Sequence, residues 1–377
     1  MDTIIISPQD TLFFRDGRPF NQGEGNAGVE SLFPPSPLTL VGAARAAWAT
    51  SLGWPGRGCW QDKIGTGLGG DEDALAGVDF TGPLLQSGSD TVFPAPASLI
   101  GALRENAQPE AICLLRPGKP FLCDLGAAVR LPEPDTPSGD NMEGRKLLED
   151  WWITRAGMQK VLAGETPGQD DLCHKSKLWA SEARTGNAID RNAGTTVQGM
   201  LYSTEHIRLS PETRLLMGIH ISEPLTAKPF PKTTLVALGG EGRGASLALS
   251  EGWDVLPDQP ELKLRDGKLT YAVYVLTPMK VDGRPDPGKP FAGLPGKVIS
   301  ACLPRAQRWG GWNSIDREPS AMKPHLAPGS VIFMEADADK TQSIQQLHGT
   351  KIGNKTSWGF GLIAIGAWQD NLQGESK

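Results

Sequence analysis

Lys351-Ile352-Gly353-Asn354-Lys355-Thr356-Ser357-Trp358-Gly359-Phe360-Gly361 runs straight into Leu362-Ile363-Ala364-Ile365-Gly366. The first stretch reads as a glycine-rich loop, because glycine admits positive φ and the close approach of another backbone. The second reads as a short buried strand. The same grammar occurs earlier in the chain. Thr233-Thr234-Leu235-Val236-Ala237-Leu238 reads as a strand and ends in Gly239-Gly240-Glu241-Gly242-Arg243-Gly244-Ala245. Working outward, strands are expected at 3–7, 12–14, 269–276 and 330–334. Helices are expected at 38–48, just behind Ser36 and Pro37, and at 97–104, 144–163 and 343–347. Residues 56–90 read as loop, and the proline-rich run 131–140 as an exposed linker. Each half opens on a strand and closes on a glycine loop flanked by strand. The pattern predicts an α+β chain of two domains, 1–252 and 253–377.

A chain of 377 residues with 39% apolar and 21% charged residues can bury real cores. Glycine (46) and proline (31) are both enriched but follow no three-residue period, so the bias means sharp turns rather than collagen. No apolar run is long enough to span a membrane. The start, Met1-Asp2-Thr3-Ile4-Ile5-Ile6, lacks the basic region of a signal peptide. Five cysteines with no Cys-x-x-Cys pair argue against a disulfide scaffold and a zinc ribbon. A soluble cytoplasmic protein is the expectation.

Motifs with chemistry are few. Gly23-Glu24-Gly25-Asn26-Ala27-Gly28 spells a dinucleotide fingerprint, but Phe33-Pro34-Pro35 stands where the phosphate-binding helix would run. No P-loop, His-Glu-x-x-His or nucleophile elbow occurs, and the five histidines never pair at metal spacing. No catalytic residue, metal or cofactor is expected. The net charge of −6 is unevenly spread. Residues 131–171 carry nine acids and four bases, whereas 287–315 and 340–369 carry bases and no acid. Glycines interspersed with Arg, Lys and Trp can expose backbone N–H groups to phosphates and aromatic faces to bases. Plain glycine turns would look the same.

A series of motifs in order resolves this. They are Asp10-Thr11-Leu12-Phe13-Phe14-Arg15-Asp16-Gly17-Arg18-Pro19-Phe20, Phe33-Pro34-Pro35-Ser36-Pro37, Phe93-Pro94-Ala95-Pro96, Trp179-Ala180-Ser181-Glu182-Ala183-Arg184-Thr185-Gly186-Asn187-Ala188-Ile189-Asp190, Gly199-Met200-Leu201-Tyr202, Leu238-Gly239-Gly240-Glu241-Gly242-Arg243, Leu276-Thr277-Pro278 and Gly310-Gly311-Trp312-Asn313. The series resembles the third-subunit family of the Cmr complex, the type III-B CRISPR effector, within the RAMP superfamily.

That resemblance implies two ferredoxin-like (RRM-related) domains with glycine-rich loops and long insertions. It implies a non-catalytic subunit that holds the 5′ repeat-derived tag of the CRISPR RNA. It also implies docking to the large polymerase-like subunit and to the backbone RAMP subunit. Residues 185–199 would form a thumb hairpin that kinks the RNA. The RNA contacts expected on this basis are Arg15, Arg18, Arg45, Arg184, Asn187, Arg191, Gly239, Gly240, Arg243, Arg308, Trp312, Lys351, Lys355, Trp358, Gly359 and Gly361. Two other readings remain: a RAMP-type endoribonuclease, which would need an acid–base pair beside the cut phosphate, and a purely protein-binding adaptor. For Arg184, an ordinary ion pair with Glu182 competes with RNA contact.

Overall fold

The computed structural model describes residues 1–15, 28–58, 60, 68–69, 75–103, 108–124, 126–135, 144–190, 192–223, 225–265, 267–313 and 318–368. The protein is mostly β-sheet with few helices. Its chain divides into two compact units that are interleaved in sequence. The first comprises Met1–Pro83, Ser176–Trp253 and Arg308–Lys323; the second comprises Leu84–Lys175, Asp254–Gln307 and Pro324–Lys377. Residues 84–175 thus join 254–307 and 324–377, and residues 308–323 join 1–83 and 176–253.

In the first unit, Asp2–Pro8 lies between two antiparallel partners, with Ile4 opposite Met217 of Thr213–Ile221 and Leu249 of Gly244–Ser250. Ile4 and Ile6 are buried completely or nearly so, as alternation along a half-buried strand requires. Thr233–Ala237 forms the outer strand beyond Gly244–Ser250. The helix Pro37–Ser51 packs against it. Proline occupies its first turn, where the missing N–H costs nothing, and Ser36 Oγ accepts the Leu38 N–H at 3.2 Å. Trp48 anchors the helix: it is fully buried, donates Nε1 to the Lys228 carbonyl at 2.9 Å and meets Phe230 edge-on. Truncating such a side chain to alanine costs roughly 3–5 kcal/mol.

In the second unit, the spatial order is Ile363–Ala367, Lys268–Val275, Val331–Asp337, Lys297–Cys302, all antiparallel. Val273 sits opposite both Ile365 and Ile332, and all three are fully buried. The short helix Thr341–Gln345 places Ile344 in the same core as Tyr271, Met334 and Ile363. Burial pushes the hydroxyls of Tyr271 and Tyr274 well above the ordinary tyrosine range.

Four expectations differ from what is found. Residues 97–104 form a strand, Leu99–Ala102, because antiparallel partners flank it on both sides, Glu110–Cys123 and Arg145–Leu147. Only Arg155–Leu162 of 144–163 is helical. Trp151–Thr154 is instead a strand, and Thr154 caps the helix through Oγ1 to the Gly157 N–H at 3.1 Å. A strand, Val78–Ser87, lies within the expected loop 56–90, and strand Gly126–Pro134 runs into the expected linker 131–140. Of the expected strand 12–14, only a single bridge from Leu12 to Ile207 forms. Among the described residues no helix is long and apolar enough to cross a membrane.

Candidate nucleic-acid interface

The motif 179–190 forms one arm of a long hairpin in the first unit, Trp179–Asp190 paired with Thr195–Leu209. Asp190 closes the turn by accepting the Asn192 N–H at 2.8 Å, and Gly194 takes a positive φ of 66°. A bulge falls between Asn187 and Ile189. Gly186 leaves room for the Tyr202 ring, since a Cβ there would lie 2.3 Å from it. From residue 192 to 197 every side chain is exposed, and Ile189 is 61% exposed despite being apolar. This outer part of the ribbon has no core of its own.

Its base is different. Glu182 lies directly opposite His206, which places Glu182, Arg184, His206 and Arg208 on one face of the hairpin. Glu182 accepts from Arg184 (2.7 Å) and Arg208 (2.7 Å). Asp10 accepts from Arg208 (3.0 Å), Arg184 (3.3 Å) and Arg243 (3.4 Å). Three guanidinium groups thus surround two carboxylates. The Thr11 backbone amide, followed by Arg184, holds Asp10 below its usual pKa, and Arg184 and Arg208 do the same for Glu182. Nη1 of both Arg184 and Arg208 engages none of the described groups, while their side chains are 30% and 49% exposed. With Glu241, brought in by the same loop as Arg243, three guanidinium groups face three carboxylates, so the base is charge-balanced while Nη1 of Arg184 and of Arg208 leaves donors to spare.

Beneath it, His206 is fully buried, stacked on Phe13 at 5.2 Å. A carboxylate can only accept, so the 2.9 Å contact with Glu241 makes Nε2 the donor, and Nδ1 is hydrogen-bonded to the Thr11 hydroxyl at 3.0 Å. Glu241 belongs to the 239–244 glycine loop, which returns to Phe13 through the Gly240 N–H at 2.8 Å. Gly239 is needed there for a local reason: φ is +79° and a Cβ would stand 2.3 Å from the Phe13 carbonyl oxygen.

The other expected contacts are dispersed. Arg15 is exposed and bridges to Ser31, Asn187 is exposed at the bulge, and Arg308 is exposed on Gln307–Trp309. Arg45 is interior, 3% exposed, with Nε on the Leu68 carbonyl at 2.8 Å and Nη2 on that of Gly69 at 2.5 Å. The 351–361 loop also turns inward. Trp358 and Phe360 are buried, and a Cβ on Gly361 would meet the Ile352 oxygen at 1.9 Å. Lys355 reaches over the Trp358 ring at 5.3 Å, and Lys351 and Lys355 are half-buried. Trp312 lies in the short strand Trp312–Asn313; Arg18 and Arg191 lie outside the described residues. Sequence reasoning missed Asp10, His206 and Arg208. The available signal was the repeated spacing Glu182-Ala183-Arg184 and His206-Ile207-Arg208 about one turn.

Several solved structures are similar to the chain, among them the following three. A Type III-B Cmr-beta bound to cognate target RNA matches at 15% identity, covering 92% of this chain and 88% of that one, with a TM-score of 0.49. The same kind of complex bound to target RNA and AMPPnP gives 14%, 88%, 86% and 0.48. The Csm3-Csm4 subcomplex of a type III-A CRISPR-Cas interference complex gives 11%, 98%, 100% and 0.37. No curated protein matches. The model of the family described as CRISPR-associated protein (Cas_Cmr3) matches residues 4–368, nearly the whole chain. The chain therefore belongs to the Cas_Cmr3 family of CRISPR-associated proteins.

Proposed function

We propose that the protein is a non-catalytic RNA-binding subunit that holds the 5′ repeat-derived tag of the CRISPR RNA and docks the large polymerase-like subunit beside the backbone RAMP subunit. The observation that carries this reading is the hairpin Trp179–Asp190/Thr195–Leu209: an exposed outer ribbon above a base of Arg184, Arg208 and Arg243. A ribbon of this kind can wedge between nucleotides, while the spare Nη1 donors of Arg184 and Arg208 meet a phosphate. Asp10 and Glu182 orient the two hairpin forks in advance, which lowers the entropy lost on binding.

The order Ile363–Ala367, Lys268–Val275, Val331–Asp337, Lys297–Cys302 supports a ferredoxin-like second unit, being positions four, one, three and two of an antiparallel sheet. His206 favours binding over cleavage, because both its ring nitrogens are engaged and it is sealed from solvent. The acidic stretch 131–171 faces away from RNA in this reading, since it would repel phosphate. Ultraviolet crosslinking of RNA within the assembled effector tests the assignment. Crosslinks should fall on peptides of 179–209 and be absent from 131–171. Crosslinks confined to other segments, or cleavage of repeat RNA by the purified subunit, would overturn it.

A further inference from the structure

Glu241 holds a backbone conformation that its side chain disfavours. Its φ is +54°, with Gly240 before it and Gly242 after it. L-residues avoid this left-handed region because Cβ crowds the following carbonyl oxygen, whereas glycine enters it freely. Such strain persists only where surrounding contacts over-determine it. The contact here is with His206, whose Nε2 donates to Glu241 at 2.9 Å from a fully buried ring. Four glycines among residues 239–244 would otherwise let this loop sample many conformations.

Two residues on, Arg243 is the least engaged guanidinium of the hairpin base. Among the described residues its side chain meets only Asp10, through Nη1 at 3.4 Å. Asp10 is held more closely by Arg208 at 3.0 Å and Arg184 at 3.3 Å. The Arg243 Nε is buried and has no hydrogen-bond partner among the described residues. A buried donor left unmet is unfavourable, and nothing described in the free chain offsets it. The backbone, by contrast, is fixed. The Arg243 N–H donates to the Gly240 carbonyl at 3.2 Å across Glu241, so the conformation at 241 sets how Arg243 leaves the loop.

We propose that Glu241 is a positioning residue for RNA: clipped to His206, it fixes the loop so that Arg243 meets a phosphate beside Arg184 and Arg208. The inference rests on the RNA-binding reading above. It gives an acid a favourable part in binding a polyanion, and this sets its sign apart from plain electrostatics. By charge alone, removing a carboxylate next to a phosphate would tighten binding. Losing the clip weakens it instead, because the loop and Arg243 must then be ordered as the RNA binds.

Binding of a single-stranded RNA bearing the repeat-derived tag to the full chain, followed by fluorescence anisotropy across a salt series, tests this. Glu241→Gly removes the clip at a φ that suits glycine, whereas Glu241→Gln keeps an acceptor for Nε2. Glu241→Gly should lower affinity about fivefold and flatten the log–log salt slope by about 0.7, as Arg243→Ala should. The double variant should bind no worse than Arg243→Ala alone, since Glu241 acts through that side chain. Glu241→Gln should stay within about twofold of the parent. Glu241→Gly binding as tightly as the parent, or more tightly, would overturn the proposal, as would additive losses in the double variant. Arg184→Ala with Arg208→Ala separates the two readings. A loss with that pair and none with Glu241→Gly ends the positioning role alone; no loss with either ends the RNA-binding reading as well. If Glu241→Gly does not fold, Glu241→Asn tolerates the same φ with a side chain one methylene shorter, and the same outcomes decide.

Discussion

The two glycine loops look alike in sequence and are used in different ways. The 239–244 loop carries Glu241 and Arg243 to the base of the hairpin, where one engages His206 and the other Asp10. The 351–361 loop folds into the second unit's interior, with Trp358 and Phe360 buried. In both, the tightest glycines answer to the chain's own carbonyls: Gly239 to Phe13, Gly353 to Lys280 and Gly361 to Ile352. A glycine-rich string therefore reports close backbone approach, and the approaching backbone is here the protein's own. What separates the loops is the charged side chains they present.

The comparison breaks most readily at Gly361. Gly361→Ala combines a φ of +76° with a 1.9 Å approach to the Ile352 oxygen. It should cost about 3–4 kcal/mol, read by chemical denaturation. A loss under about 1 kcal/mol would mean the loop is loose and available to a ligand. A smaller effect is expected for Arg184→Ala with Arg208→Ala. Affinity for tag RNA should fall roughly tenfold and the log–log salt slope should flatten by about 1.4, at roughly 0.7 per phosphate contact. Lys351→Ala with Lys355→Ala sharpens the contrast between loops. A comparable change in slope would restore the second loop to the RNA surface; a slope unaltered by this pair would leave it structural.

The legible parts of the fold were those whose signal is local. Ser36, Pro37 and the alanine-rich run after them specify a helix without outside help, and short runs rich in β-branched and aromatic residues specify Asp2–Pro8 and Lys268–Val275. Trp151-Trp152-Ile153 carries a helix-like apolar spacing only while its partners are unknown. Residues 172–174 pair with 151–153 and 92–94 with 152–154, and together they turn the segment into a strand. The interface divides in the same way. The ion pair from Arg184 to Glu182 spans two residues and could be anticipated, whereas Asp10 joins Arg184 across 174 positions, which no local pattern encodes.

Two smaller effects complete the set. Gly242→Ala meets nothing within 4 Å, so only its φ of +64° is strained and the loss should be about 1 kcal/mol by thermal or chemical denaturation. The smallest effect concerns pH. Asp10 and Glu182 titrate below their usual values of 3.8 and 4.5 when folded, so their contribution is complete above about pH 4.5 and fades as acid reaches the lowered values. The melting temperature of Glu182→Gln should trail that of the parent at pH 7 and converge with it below pH 4. A gap that persists in acid would mean the side chain acts through packing rather than charge.

The interleaving of the two units has a consequence for synthesis. The chain crosses between them at 83/84, 175/176, 253/254, 307/308 and 323/324. A nascent chain emerging at roughly 5–20 residues per second cannot finish the first unit until residue 323 has left the ribosome. Strand Lys268–Val275 waits longer still for Ile363–Ala367. Unpaired strand edges stay open meanwhile, so nearly the whole polypeptide must be released before either unit can close. No single cut separates one unit from the other, and chaperone demand during translation should scale with elongation time over roughly the last hundred codons.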